Sequence, residues 1–220
     1  MSWCDVLLDN QKQMAMQERI FGVVTGIVTN NQDPDNLGRV KVRFPWLTGK
    51  NSDSDTVESY WARIATPMAG LKYGVYFLPE QDTEVLVVFE QGDVRFPYII
   101  GGLWNGKQIP PETNKDGQNI HLIKTKSGHI IRLDDTDKAE KIEVIDSSGN
   151  NMMVIDTSTN SITIAAAKDI ILSAPKGTIK LDARSIDINS SFNTKIDAGA
   201  EMTISASTTI SVSGEMINLN

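Results

Sequence analysis

The chain has 220 residues, a formal charge of -7 and an isoelectric point near 4.9. That balance excludes a protein that tracks phosphate backbones, which needs clustered Lys and Arg to displace counterions, so nucleic acid is not an expected partner. Hydrophobic residues make up 40% of the chain but aromatic ones only 6%, enough for a slender core and too few large side chains for a wide one.

Near the start, Cys4 stands alone and so forms no intramolecular disulfide, in keeping with a reducing compartment. Met1 to Asn10 lacks a basic region followed by an apolar run, and no stretch approaches the roughly 18 apolar residues of a membrane span. Synthesis in the cytoplasm without a cleaved signal is the expectation. Gln11 to Ile20 reads as a short helix with Met14, Met16 and Ile20 on one face, and residues 1–20 as a docking segment for a neighbouring subunit.

From Phe21 to Leu103, short runs rich in β-branched and aromatic residues alternate with turns. Val23–Val28, Arg39–Phe44, Tyr60–Ala65, Glu84–Phe89 and Tyr98–Ile100 are the predicted strands, with turn chemistry at Asp33-Pro34-Asp35-Asn36, Leu37-Gly38 and Gly92-Asp93. Five strands in this span predict a small all-β barrel of the oligonucleotide/oligosaccharide-binding (OB) fold over residues 21–103. Residues 104–119, with Gly106, Pro110, Pro111 and Gly117, read as a linker too short to hold an enzyme domain.

Residues 120–220 follow a different grammar, an internal repeat. An apolar position recurs at Ile164, Leu172, Leu181, Ile188, Ile196, Ile204, Val212 and Leu219, in steps of seven to nine residues. Two residues before each stand Ile162, Ile170, Ile179, Ile186, Thr194, Met202, Ile210 and Ile217. Two residues after the first seven stand Ala166, Ala174, Ala183, Ser190, Ala198, Ala206 and Gly214. The strand period of two turns these positions inward and the intervening polar ones, such as Lys180, Asp187 and Lys195, toward water. Looser units precede them at Ile131/Leu133, Ile142/Val144 and Met153/Ile155. One unit supplies about one side of a β-helical coil, so either three successive units of one chain or three chains enclose each layer.

The residues resemble a known family from Phe21 onward. Gly26-Ile27-Val28-Thr29, Asp33-Pro34-Asp35, Leu37 through Trp46, Tyr60-Trp61-Ala62-Arg63, Ala65 through Gly70 and Phe77-Leu78-Pro79-Glu80 carry the likeness. It continues through Glu84 to Val87, Phe89 to Asp93, Pro97 to Gly101, Asn105-Gly106-Lys107, Lys126 to His129 and Leu133 to Thr136. This set resembles the central spikes of contractile phage tails and the valine-glycine repeat protein G of type VI secretion. The resemblance implies a homotrimer whose C-terminal halves interlace into a triple-stranded β-helix needle, choosing three chains over one. It implies a non-catalytic, membrane-puncturing spike in the baseplate, held by a trimeric hub and driven outward when the sheath contracts, with transient contact with the target membrane. A proline-alanine-alanine-arginine repeat protein on the tip, over Ser213, Gly214, Asn218, Leu219 and Asn220, and an effector cargo belong to the same expectation. Only about twenty residues precede the barrel, so the hub is expected as a separate protein, in a phage tail, an extracellular injection system or a type VI system. Some phage spikes bind iron through a His-X-His motif near the C-terminus; here His121 and His129 lie at the start of the needle, and no metal is expected at the tip.

Several side chains invite a chemical reading. Asp134, Asp135 and Asp137, with Glu80, Asp82, Glu84, Glu90 and Asp93, supply carboxylates of the kind glycosidases use in opposed pairs, although strand ends and turns account for them equally. No Ser or Cys elbow accompanies His129, and Asp33, Asp35 and Gly38 lack the calcium-loop ligand register. Trp46, Trp61 and Trp104 suit barrel packing and subunit contacts better than base stacking. A β-helical polysaccharide-active enzyme and an oligosaccharide-binding module are the remaining classes; the enzyme would need a wide coil with a cleft, whereas the small residues at the third inward position argue for a tight shaft.

Overall fold

A computed structural model describes residues 19–48, 56–113 and 117–218. The predicted helix before Ile20, Cys4, Leu219 and Asn220 lie outside the described residues, except for Arg19 and Ile20. The chain divides into two units, one ending at Ala167 and one beginning at Lys168.

The first unit opens with β1 (Val23–Asn30), β2 (Lys41–Thr48), β3 (Thr56–Glu58), β4 (Arg63–Ile64), a small hairpin of β5 (Ala69–Gly70) and β6 (Tyr73–Gly74), β7 (Glu84–Phe89) and β8 (Pro97–Leu103). Six of these form one sheet in the order β3-β2-β1-β7-β8-β4, antiparallel except for the β4–β8 pair. An antiparallel bridge between Val40 and Ala62 joins the start of β2 to the approach of β4, which returns one edge of the sheet to the other. That is how a small barrel removes its open edges.

Alternation decides what is inside. In β7, Val85, Val87 and Phe89 are buried while Glu84, Leu86 and Val88 are less so. The core is Val28, Val40, Val42, Phe44, Ala62, Val85, Val87, Phe89 and Ile99, with the Phe44 and Phe89 rings tilted at a centroid distance of 5.7 Å. Gly26 lets β1 approach β2: a Cβ there would lie 3.3 Å from Cβ of Val42.

The sheet differs from the predicted strands in several places, with β2 running on to Thr48 and β8 to Leu103. The expected strand Tyr60–Ala65 narrows to Arg63–Ile64 plus the Ala62 bridge, because this stretch pairs with β8 over only two residues. Short β3 and the β5–β6 hairpin join the pattern unpredicted. The start of the linker is tied to the barrel: Gln108 donates to the Asp82 carbonyl and accepts from the Glu84 backbone amide.

A second sheet in the same unit is an antiparallel meander of β9 (Ile120–Lys124), β10 (Ile130–Asp134), β11 (Lys141–Ile145), β12 (Met152–Asp156) and β13 (Ser161–Ala165). The looser repeat units thus pair as consecutive hairpins of one chain. Acidic turn residues hold them. Asp146 accepts from the Asn151 side chain at 2.7 Å and from Ser148, which holds its pKa at about 2. Asp156 accepts from Ser158 at 2.6 Å and from the Thr159 amide, and also lies at about 2.

Beyond Lys168 the described residues of the second unit form no strand with their own chain and are exposed throughout. The Gly177 amide donates to the Ala174 carbonyl at 3.1 Å in a single turn.

Candidate functional site

The residues that stand out are apolar and uncovered. Pairing registers place Ile123, Ile131, Val144, Met153 and Ile164 in one row across the meander, and His121, Leu133, Ile142, Ile155 and Ile162 in the next, both on one face. Nine of those ten positions are apolar, and all but Ile155 and His121 count among the exposed large hydrophobics. The opposite face carries ion pairs: Arg132 donates to Glu143 at 2.6 Å and Lys141 lies 3.5 Å from Asp156. That face also holds Ile130, Ile145, Met152 and Val154, but these are partly buried; the bare apolar face is the other one, and such a face is built to be covered.

The second unit repeats the pattern. Ile170, Leu172, Ile179, Leu181, Ile186, Ile188, Ile196, Met202, Ile204, Ile210, Val212 and Ile217 keep 46% to 70% of their surface exposed. Ile162 and Ile164 in β13 continue this stripe into the meander, both exposed. Ser213, Gly214 and Asn218 lie near the end of the described chain, also exposed.

The chemical candidates resolve into separate structural roles. The Asp33 side chain is 3% exposed; its carboxylate receives Nε and Nη2 of Arg39 at 2.8 and 2.7 Å and the amides of Asp35, Leu37 and Arg39. The Arg39 guanidinium holds its carboxyl well below the usual range. Asp93 is lowered to about 2 by Arg95, and Asp134 is lowered by the Thr136 hydroxyl and amide. Glu84 accepts from Asn105, Glu90 from Tyr98, and Lys126 donates to Glu80 at 3.3 Å. His129 Nδ1 accepts from the Ser147 amide at 3.1 Å, tying two turns of the meander together. Trp46 donates to the Thr25 carbonyl at 3.1 Å, Trp61 lies beneath Arg39 and Lys41, and Trp104 is exposed. Among the described residues no three His, Cys, Asp or Glu side chains converge to hold a metal.

The Asp33 cluster gives one testable expectation. Asp33→Asn keeps the turn's shape but removes the ionic partner of Arg39, and is expected to lower the barrel's melting temperature on the order of 5 °C near neutral pH. The folded pKa of Asp33 is depressed, so its contribution is complete above the unfolded value near 4 and is lost as pH falls further. Melting curves of the two proteins should therefore converge on acidification below about pH 4. A gap that widens there would show that another group is responsible.

Sequence comparison fits this architecture. Residues 24–104 match the family model described as the type VI secretion system/phage-baseplate injector OB domain. The chain is 36% identical over 93 residues to type VI secretion system spike protein VgrG3 of Vibrio cholerae serotype O1, covering 42% of this chain and 9% of that protein. It is 31% identical over 136 residues to spike protein VgrG5 of Pseudomonas aeruginosa, covering 57% and 17%. It is 32% identical over 93 residues to the actin cross-linking toxin VgrG1 of another Vibrio cholerae strain, covering 42% and 8%. The aligned stretches thus span less than a fifth of these relatives' length.

Proposed function

From the match of residues 24–104 to the injector OB-domain family model and the likeness to type VI secretion spike proteins, we propose that the chain is the central, membrane-puncturing spike of a contractile injection machine, mechanical rather than catalytic. Three copies assemble around one axis. Their barrels form a collar and residues 120–220 form the needle, its base the three meanders packed apolar face to apolar face and its shaft, from residue 168 onward, a triple-stranded β-helix; a trimeric hub carries it and sheath contraction drives it toward the target.

The observation that carries this reading is the uncovered apolar stripe. Residues 168–218 place Ile, Leu, Met or Val at strand spacing with neither burial nor strand pairing inside their own chain. An extended segment leaves every backbone donor and acceptor and every apolar side chain in water, a state that proteins relieve by pairing. A second and third copy relieve it symmetrically, since each presents the same stripe. Burial of such a stripe contributes about 25 cal/mol per Å² of apolar surface removed from water.

At the far end of the needle, Ser213, Gly214 and Asn218 offer strand edges for a conical tip protein of the proline-alanine-alanine-arginine repeat class, by strand addition. Light scattering on the purified chain tests the assembly: three times the 24.2 kDa chain mass is expected, and a monomer at micromolar concentration overturns it. Binding of a candidate tip protein before and after deletion of 214–220 tests the tip; equal binding by the truncated trimer places the cap elsewhere.

A further inference from the structure

Within the two apolar rows of the meander, one position breaks the pattern. His121 in β9 lies directly across from Leu133 in β10, in the same row as Ile142, Ile155 and Ile162. Asp135 lies beside it, two residues beyond Leu133 and therefore on the same face, held there by its amide donating to the Asn119 carbonyl at 2.8 Å. His121 Nε2 and Asp135 Oδ2 stand 3.6 Å apart. That is too long for a hydrogen bond. It is close to the edge of a coordination polyhedron whose ligands each lie about 2.0 to 2.2 Å from one metal ion.

Both side chains are now in water, at 62% and 69% exposure. Covering the apolar rows around a threefold axis would carry them inside along with their neighbours. An imidazole and a carboxylate buried among Ile and Leu need partners there. One chain supplies only these two, since no third His, Cys, Asp or Glu converges on them among the described residues. Three chains supply three imidazoles and three carboxylates, enough to complete a metal's coordination and to offset its charge. Glu112, which lines the same shallow hollow as His121, adds one further acid per copy at its rim.

We propose that the base of the needle is a metal site: a divalent transition-metal ion of the zinc class, bound by His121 of three copies, with Asp135 as ligand or as charge partner orienting the imidazole. Nitrogen and carboxylate donors together suit zinc, cobalt or nickel better than calcium or magnesium. The inference rests on the trimeric reading of the stripe. The site lies at the start of the needle, in β9 and beside β10, rather than at a tip.

The test uses the full chain, stripped of metal with a chelator and titrated with Co(II), then Zn(II), while light scattering reports mass. One ion per trimer is expected, with visible Co(II) absorption that Zn(II) bleaches. His121→Ala should weaken binding by at least about a hundredfold, and Asp135→Asn by about tenfold. His129→Ala, altered at the other histidine, should bind like the parent. His121→Leu completes the apolar row and keeps the trimer while losing the metal, which guards against a misfolded variant. A trimer that binds no cobalt, or that binds it equally after His121→Leu, overturns the site and leaves the trimer standing. A monomer overturns both, and one ion per monomeric chain overturns the threefold ring.

Discussion

Ile188→Asp is expected to abolish the trimer while leaving the barrel folded. In the isolated chain Ile188 is 70% exposed, so the substitution costs the single chain little. In the assembled needle it would place three carboxylates together around the axis, each costing several kcal/mol to bury without a partner. Light scattering should report single chains of 24.2 kDa. Replacement of its outward neighbour, Asp187→Ser, should leave the mass trimeric. An unchanged mass and melting temperature for the Ile188 variant would mean that the stripe's register is wrong by one, which turns every side chain to the opposite face.

Ile99→Ala should have the opposite signature, a weaker barrel with the trimer retained. Ile99 is 1% exposed in β8 and belongs to the cluster with Val85, Val87 and Phe89. Removing three buried carbons from a closed barrel costs about 2–5 kcal/mol, because the surrounding strands cannot collapse into the space. For a barrel of this size that lowers the melting temperature by roughly 10 °C or more. Tryptophan fluorescence can follow it, since Trp46 and Trp61 both pack on barrel strands, through the Phe44 ring and beneath Arg39 and Lys41. A shift within error would show that Ile99 does not hold β8 in the closed ring.

The sequence disclosed most where period and environment agreed. Glu84–Phe89 appears in the fold as predicted because strict alternation is unambiguous when one face meets a core. Asp33 is legible as a turn residue, but its ion pair with Arg39 is a matter of spacing that only the folded loop reveals. The β5–β6 hairpin escaped because Ala69, Gly70 and Gly74 have low strand propensity; the sign was Gly74, whose φ of 148° and close approach to the Met68 carbonyl a side chain would forbid. In the meander, Ile131/Leu133 and their successors were visible as units, whereas their hairpin pairing was not, since a period of two is common to every sheet. Residues with positive φ between the strands, Gly128, Lys138, Gly149 and Asn160, were the available signal. His121 was missed as a site residue because its meaning depends on the row it occupies, and rows exist only once registers are known.

The division at Ala167 also sets an order of events. Barrel and meander close their hydrogen bonds within one chain, so they can form in a first-order step at any concentration. The described residues beyond Lys168 form no strand within their own chain, so in the proposed trimer the completion of this stretch is a higher-order step whose rate rises with protein concentration. Between the two steps the chain trails a strand-forming tail with large apolar residues at two of every three inward positions, Thr194 excepted. In that interval it is vulnerable to proteases and to association out of register. Limited proteolysis during refolding should therefore cut downstream of Ala167 first, and protection there should arrive sooner in more concentrated samples, while protection of the barrel keeps the same time course throughout.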